Sequence, residues 1–350
     1  MSIIPQGVPT GAIRYNTDSN KMECFNGTKW MQVSVSSPDL GALISSSWIP
    51  AGTRGLSFAG SPYVDNINYW SIASTGDATD FGDVTAAGNY LTCAFGSATR
   101  GCHAGGYNPG DSLTNIIDFV TVSSTGDAVD FGDMVSARRN VSGAANATRG
   151  LITGGLEDPS YVDKVDYITI AQTGNAVDFG NLSVARISSF NVTSPTRLVA
   201  CGGGVPSPTS RVNTIDYTTI ATTGNFLDFG DISRGGDDGG NSSGCSSTRG
   251  VLIGGRPAGT TSADISYVTM ATLGNSVSFG SLGNRYRFAA GTSDKVRAMR
   301  VAGYNDDTTS ASQSMEYFSI ATGGMAADFG DLAASATFSL GACSNGHGGL

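Results

Sequence analysis

The stretch Tyr167 to Gly180, YITIAQTGNAVDFG, decides the fold, because close copies of it recur from Tyr69 onward at an interval of about 50 residues. Tyr167-Ile168-Thr169-Ile170 is β-branched or aromatic and reads as a strand, and Gly174-Asn175 is a glycine-first pair suited to a type II′ hairpin turn. Phe179-Gly180 then ends a second strand. The aromatic returns as Tyr69, Phe119, Tyr167, Tyr217, Tyr267 and Tyr317, and the turn glycine as Gly76, Gly126, Gly174, Gly224, Gly274 and Gly324. Five residues later comes Phe81, Phe131, Phe179, Phe229, Phe279 or Phe329. Six copies make this a repeat architecture.

Upstream of each aromatic lies a second recurring segment, Thr148-Arg149-Gly150-Leu151-Ile152-Thr153-Gly154-Gly155, with counterparts at Arg54, Arg100, Arg197, Arg249 and Arg297. Before it comes a run of small and apolar residues such as Val141 to Ala145. Each unit therefore holds four strands, and six such units predict an all-β chain folded as a six-bladed β-propeller with four antiparallel strands per blade. Small residues suit inner strands crowded around an axis, and the phenylalanines suit the interfaces between blades. At the C-terminus, Ser339 to Cys343 resembles a first strand and His347 falls at the arginine position. This segment is expected to complete the blade containing Arg54, with Leu43 to Ile49 as the competing donor.

Residues 1–36 stand outside the repeat. Ala12 to Asn16, Lys21 to Phe25 and Thr28 to Val33 read as a small β-meander, with Asp18-Ser19-Asn20 at one turn and Asn26-Gly27 as a type I′ hairpin signal at the other. So short a module cannot bury enough apolar surface alone, so Ile13, Tyr15, Phe25 and Trp30 are expected to pack against something else. Ser34 to Pro38 reads as a linker to the propeller of residues 37–350.

A net charge of -9 with a pI near 4.6 argues against a nucleic-acid partner or an acidic lipid surface, since phosphate binding needs a basic stripe. Charged residues make up only 14% while glycine numbers 49, a balance that suits short strands joined by many turns. The N-terminal residues carry no export-signal pattern, and no apolar run reaches the length of a membrane span. The six cysteines are scattered, without a C-x-x-C pair, and are expected to be buried free thiols.

The spacing from turn glycine to phenylalanine is constant, whereas the spacing from Gly-Gly to the aromatic varies. In an antiparallel four-strand unit, the connection between its second and third strands and the passage to the next unit share one face. The uneven loops, Ser61 to Asn66, Tyr107 to Ile116, Leu156 to Lys164, Gly204 to Thr214, Arg256 to Asp264 and Tyr304 to Ser314, therefore share a face suited to recognition. They hold Pro62, Pro109, Pro159, Pro206, Pro208 and Pro257, which favour defined loop shapes. The binding candidates are Tyr63, Tyr107, Tyr161 and Tyr304, which offer stacking surfaces, with Asp111, Glu157, Asp158, Arg211, Arg256, Asp306 and Asp307 as polar contacts. Asp237 to Asn241 is a further insertion on that face and lacks the spacing of a calcium loop.

Asp-Phe-Gly occurs at Asp80, Asp130, Asp178, Asp228 and Asp328, with Ser278 in the remaining copy, and five occurrences mark a structural device, not a kinase motif. The recurrent arginines and aspartates are expected to bond strand to strand. His103 and His347 are the only histidines and sit at strand positions, so no metal site, cofactor site or acid–base triad is expected. Carboxylates converging from separate loops are the one route left to glycoside hydrolysis.

The order Arg, Gly-Gly, Tyr, aromatic-Gly resembles the kelch repeat, with Gly154-Gly155 at its double glycine and Tyr167 at its aromatic, although Phe179 stands where a kelch unit has tryptophan. TRGLITGG, DYITIAQTGNAVDFG and NLSVAR resemble repeats of virion proteins of tailed bacteriophages, especially marine ones, over residues 53–350. GAIRYNTDSNKMECFNGTKW resembles a short β module of phage tail, fibre and other appendage proteins. These resemblances imply a non-enzymatic virion structural protein, made in the bacterial cytoplasm and homo-oligomeric in the particle. Its N-terminal module would attach to other virion proteins, and its propeller would act as a tail-fibre adhesin for a host-surface glycan or protein. The alternatives are a capsid or neck decoration protein and a propeller glycosidase or oxidase.

Overall fold

The computed structural model describes residues 8–16, 21–32, 54–61, 63–86, 90–110, 112–206, 211–233, 242–333 and 338–350. The chain divides into two compact units, Met1–Ile49 and Pro50–Leu350. The expected boundary at residue 36, the linker, Leu43 to Ile49, Asp18 to Asn20, Pro62, Asp111, Pro208 and Asp237 to Asn241 lie outside the described residues.

The larger unit is all-β and propeller-like, with one short 3-10 turn, Pro257–Gly259, among its described residues. Each repeat forms an antiparallel sheet, to which the fifth adds Gly324–Met325 as a parallel edge strand. The third runs Ser142–Ala145, Arg149–Thr153, Lys164–Thr169, Val177–Asn181 in spatial order, and the second, fourth, fifth and sixth repeat that order from inner strands Cys93–Gly96, Phe190–Thr193, Ser243–Cys245 and Ala290–Ser293. The sheet containing Arg54–Gly60 takes its inner strand from the far end of the chain: Gly341–Ser344 pairs antiparallel with it, Gly341 opposite Phe58 and Ser344 opposite Gly55. The inner strands touch in cyclic order, Gly341–Ser344 lying between those of the second and sixth sheets.

The small residues on these strands are required by that approach. A Cβ on Gly341 would come within 2.8 Å of the Ala94 backbone, and one on Gly291 within 2.2 Å of Ser243. Between sheets the filling is apolar: Phe179, Leu182, Leu151 and Val165 of the third pack with Leu198, Ala200, Ile220 and Phe226 of the fourth. Phe179 is only 2% exposed because the ladder shifts register there. Asp166 faces Asp178 and Val165 faces Gly180, so Phe179 is the extra residue of a bulge and its ring turns between the sheets.

Gly174-Asn175 corrects the expectation of a two-residue hairpin turn. Tyr167 pairs with Val177, so the connection is longer, and Gly174 sits at φ 149°, outside a type II′ geometry. The segment instead latches onto the preceding sheet. Gly174 N–H donates to Phe131 O and Ala176 N–H to Asp133 O, both at 2.7 Å, while Asn175 Oδ1 accepts from Asp133 N at 3.1 Å. The same latch returns at Asp127, Asn225 and Asn275, and at Asp77, whose Oδ1 accepts from Asp331 N at 3.0 Å and so joins the last sheet to the first. The Phe-Gly glycine is needed for this contact, since a Cβ on Gly180 would lie 2.5 Å from Gly224 O.

The recurrent arginines also act between sheets. Arg149 lies 4.7 Å over the Tyr167 ring and donates to Ile220 O at 2.9 Å in the next sheet. Arg54, Arg100, Arg197, Arg249 and Arg297 repeat the arrangement, Arg297 reaching Ile72 O in the first sheet at 3.0 Å. The aspartates of Asp-Phe-Gly do not share in it; Asp178 is exposed, because its side chain points away from the bulge. Buried ion pairs come from residues not singled out in the sequence: Arg186 with Asp216 at 2.9 Å, Arg300 with Glu316 at 2.8 Å, and Arg138 with Asp166.

The N-terminal unit is a three-stranded antiparallel sheet, Ile13–Asn16, Lys21–Phe25 and Trp30–Gln32. Asn26-Gly27 is no type I′ turn, since only Gly27 has positive φ and Asn26 Oδ1 accepts from Thr28 and Lys29 N–H, giving an Asx turn in a longer loop. The four expected docking residues separate. Phe25 is buried against Trp30, whose ring carries Arg14 at 4.1 Å, whereas Ile13 and Tyr15 remain 65% and 54% exposed.

Candidate binding face

The face carrying the uneven loops is assembled, in five of the sheets, from two elements, of which the sequence revealed one. The connector entering a sheet bridges to the loop between that sheet's second and third strands: Tyr90 to Tyr107, Arg139 to Leu156, Ile187 to Gly204, Arg287 to Tyr304 and Phe338 to Ser61. Each connector residue lies three positions before an inner strand. The residue after it, Leu91, Asn140, Ser188, Phe288 or Ser339, holds φ between 54° and 60°, an uncommon conformation for a non-glycine residue. Backbone bonds tie these residues around the axis, Asn140 N–H to Leu91 O, Leu91 N–H to Ser339 O and Ser339 N–H to Phe288 O. The connectors are thereby fixed in direction.

Two groups of side chains result. In the first, Tyr63 meets Tyr90 edge to face at 5.4 Å between ring centroids, and Tyr90 meets Tyr107 at 5.8 Å. Arg139 lies 4.7 Å over Tyr107 and pairs with Asp158 at 2.9 Å. In the second, Arg287 lies 4.5 Å over Tyr304 and pairs with Asp306 at 3.0 Å, and Tyr304 meets Phe338 edge to face at 6.0 Å. The bridge from Phe338 to Ser61 leads from this group towards Tyr63. The aromatic side chains thus lie over the sixth, first and second sheets, with Arg139 and Asp158 of the third beside Tyr107.

The remaining expected residues sit at its margins. Glu157 bonds Lys164 at 2.8 Å and Ser136; burial pushes its carboxyl up, but these bonds outweigh it and hold Glu157 low. Tyr161 is half-buried opposite Leu156 in a hairpin within the loop. Asp307 bonds Arg285 at 2.7 Å, which lowers its carboxyl. Arg256 donates to Gly259 O, and Arg211 reaches the same turn. Two loops are shorter than expected, because the flanking strands run on to Gly60 and Val64 in the first sheet and to Asn305 and Ser310 in the sixth. Tyr90, Arg139, Arg287 and Phe338 escaped the sequence reading. Their constant offset from the inner strand is the signal that finds them.

The axis is a poor rival to this face. The cavity among the inner strands has a volume of about 50 Å³ and is lined by small residues with Cys245 and His347, space for a few waters. The C-terminal tail crosses it: His347 Nε2 bonds Gly96 O at 2.8 Å and Gly348 N–H donates to Cys245 O at 3.0 Å. His347 is therefore in this tail and not at a strand position, while His103 stands in a strand, stacked on Phe58. Five of the six cysteines are buried and all are free. Burial pushes Cys93, Cys102 and Cys201 up to about 12 and Cys343 further in the same direction. Burial acts on Cys245 too, but the adjoining His347 imidazole outweighs it and brings that thiol down to about 7.

No family model and no curated protein matches the chain. Among solved structures, the chain is similar to the structure of YjhT, with a TM-score of 0.61 at 9% identity, over 76% of this chain and 92% of that one. At that identity the likeness concerns the fold, and it agrees with a propeller-like arrangement of the sheets.

Proposed function

We propose that the chain is a six-bladed, kelch-like β-propeller of a tailed-bacteriophage virion, a non-enzymatic tail-fibre or appendage adhesin that meets a host-surface ligand through its uneven face. The observation that carries this reading is the arc of aromatic and paired charged side chains from Tyr304 through Tyr63, Tyr90 and Tyr107 to Arg139. The arc is built only from the parts of the repeat that differ between copies. The opposite face repeats one latch and one arginine contact, as a scaffold does.

The likeness of the repeats and of GAIRYNTDSNKMECFNGTKW to phage virion and appendage proteins supports the setting. Exposed Ile13, Tyr15, Met22 and Met31 support attachment or self-association through the N-terminal unit. A binding role is favoured over glycoside hydrolysis because Asp158, Asp306 and Asp307 are each paired with an arginine and Glu157 with a lysine. A general acid needs a raised pKa, and Glu157 and Asp307 are held low.

The test is binding of the labelled full-length chain to a panel of marine bacterial isolates, with antibody labelling of the intact particle. Cell binding and label on a tail appendage are expected. Label on the capsid or neck with no cell binding would replace the adhesin by a decoration protein, and sugar release from host polysaccharide would replace it by an enzyme.

A further inference from the structure

In the N-terminal sheet Ile13 pairs with Cys24 and Cys24 with Met31, and Tyr15 pairs with Met22. Residues directly opposed, and residues two apart in a strand, lie on one face of a sheet, so these five share a face. Among the described residues no charged one falls on it. Ile13, Tyr15, Met22 and Met31 are 65%, 54%, 45% and 45% exposed, and Cys24 is half-buried. The other face is closed by its own side chains. Arg14 donates to Glu23 at 2.9 and 2.8 Å and lies 4.1 Å over the Trp30 ring, and Phe25 is buried against that ring. The unit therefore settles its polar face internally and offers its apolar face to a partner.

We propose that this face is covered by the same face of a second copy, about a two-fold axis that runs across the strands, between the two sheets, at the level of Glu23. Met22 and Cys24 stand two positions apart on the central strand, a long side chain beside a short one, and Ile13 and Met31 flank the short one. The two-fold sets each Met22 over Cys24 of the other copy and each Ile13 over its Tyr15, so the face complements itself. A different protein would be selected through charged or hydrogen-bonding groups, and the face offers only the Tyr15 hydroxyl. Its exposed side chains present about 400 Å² per copy, so a pair buries about 800 Å², below the roughly 1,200 Å² of a standard interface, which makes the pairing concentration-dependent. The proposal narrows attachment or self-association to the second of these, and it does not depend on what the propeller binds.

The test is sedimentation equilibrium of the full-length chain over a wide range of concentration, where a monomer–dimer equilibrium is expected. Met22→Glu and Cys24→Lys should each weaken dimerisation at least tenfold at an unchanged melting temperature, because each buries an unpaired charge. Lys29→Glu, at an exposed loop position, should dimerise like the native chain. Mixed in equal amounts, the Met22→Glu and Cys24→Lys chains should dimerise again, since the two introduced charges then face each other. A chain monomeric at every concentration, or a dimer that both variants leave intact, would overturn the proposal. Failure of the mixture to dimerise would overturn it too, because Met22 would then not meet Cys24. Recognition by the propeller loops is read separately, by cell binding, and stands or falls apart from these results.

Discussion

At the scale of single residues the repeat is held by side chains whose roles follow from a few ångströms. Phe179 occupies a bulge and is packed between two sheets, so Phe179→Ala should lower stability by about 3–5 kcal/mol, read as a shift in the denaturant midpoint at constant slope. Cys245 gives a pH-dependent prediction. Its folded pKa of about 7 lies below the ordinary thiol value of 9.0. Its contribution to stability is therefore fully present above about pH 9 and is lost as the pH falls through about 7. The melting temperature of the native chain should fall more between pH 9 and pH 6 than that of Cys245→Ser; equal falls would remove the His347 effect. The phenylalanine was legible in the sequence through its invariant spacing. The thiol was not, because its neighbour His347 comes from the C-terminal tail, far away in sequence.

At the scale of elements, the sequence shows which segments are strands but not what their turns do. Gly174-Asn175 has the composition of a hairpin turn, yet Gly174 holds a φ of 149° against the backbone of Gly132 in the preceding sheet, where a Cβ on Gly132 would lie 2.6 Å away, and Asn175 supplies an acceptor to that neighbour. Local propensity is blind to a contact made between repeats. The arginines misled in the same way: the aspartates of Asp-Phe-Gly recur at the same period, but the arginines' partners are a tyrosine ring in the same sheet and a carbonyl in the next. The latch predicts a stabilising substitution. Met325 stands where the other copies have Asp or Asn and is 75% exposed, on a segment pairing with Ser281. Met325→Asn should add a side-chain acceptor for that strand and raise stability by about 0.5–1.5 kcal/mol. An unchanged or lower melting temperature would count against the latch as a source of stability.

For the molecule as a whole, two things follow from the cyclic order of the sheets. Gly341–Ser344 supplies the inner strand of the first sheet, and the Arg297 and Asp77 contacts join the sixth sheet to the first, so the ends of the repeat array hold one another. Removing residues 338–350 should abolish cooperative unfolding or solubility; a truncated chain with the full melting temperature would show that closure does not depend on this strand. The sequence revealed which face varies, since loop length is visible in one dimension. It gave only half of the site, since Tyr90, Arg139, Arg287 and Phe338 lie on connectors that join the loops only when the sheets stand side by side.

The central claim, that the uneven face meets the ligand and the repeated face is scaffold, is tested most directly by comparing two variants of the full-length chain for binding to whole bacteria. One carries Tyr63→Ser and Tyr107→Ser on the uneven face. The other carries Leu273→Ser and Val296→Ser, at exposed turns on the opposite face. With both folded by circular dichroism, the first should lose cell binding by tenfold or more and the second should bind like the native chain. Undiminished binding by the first with loss in the second would contradict the account.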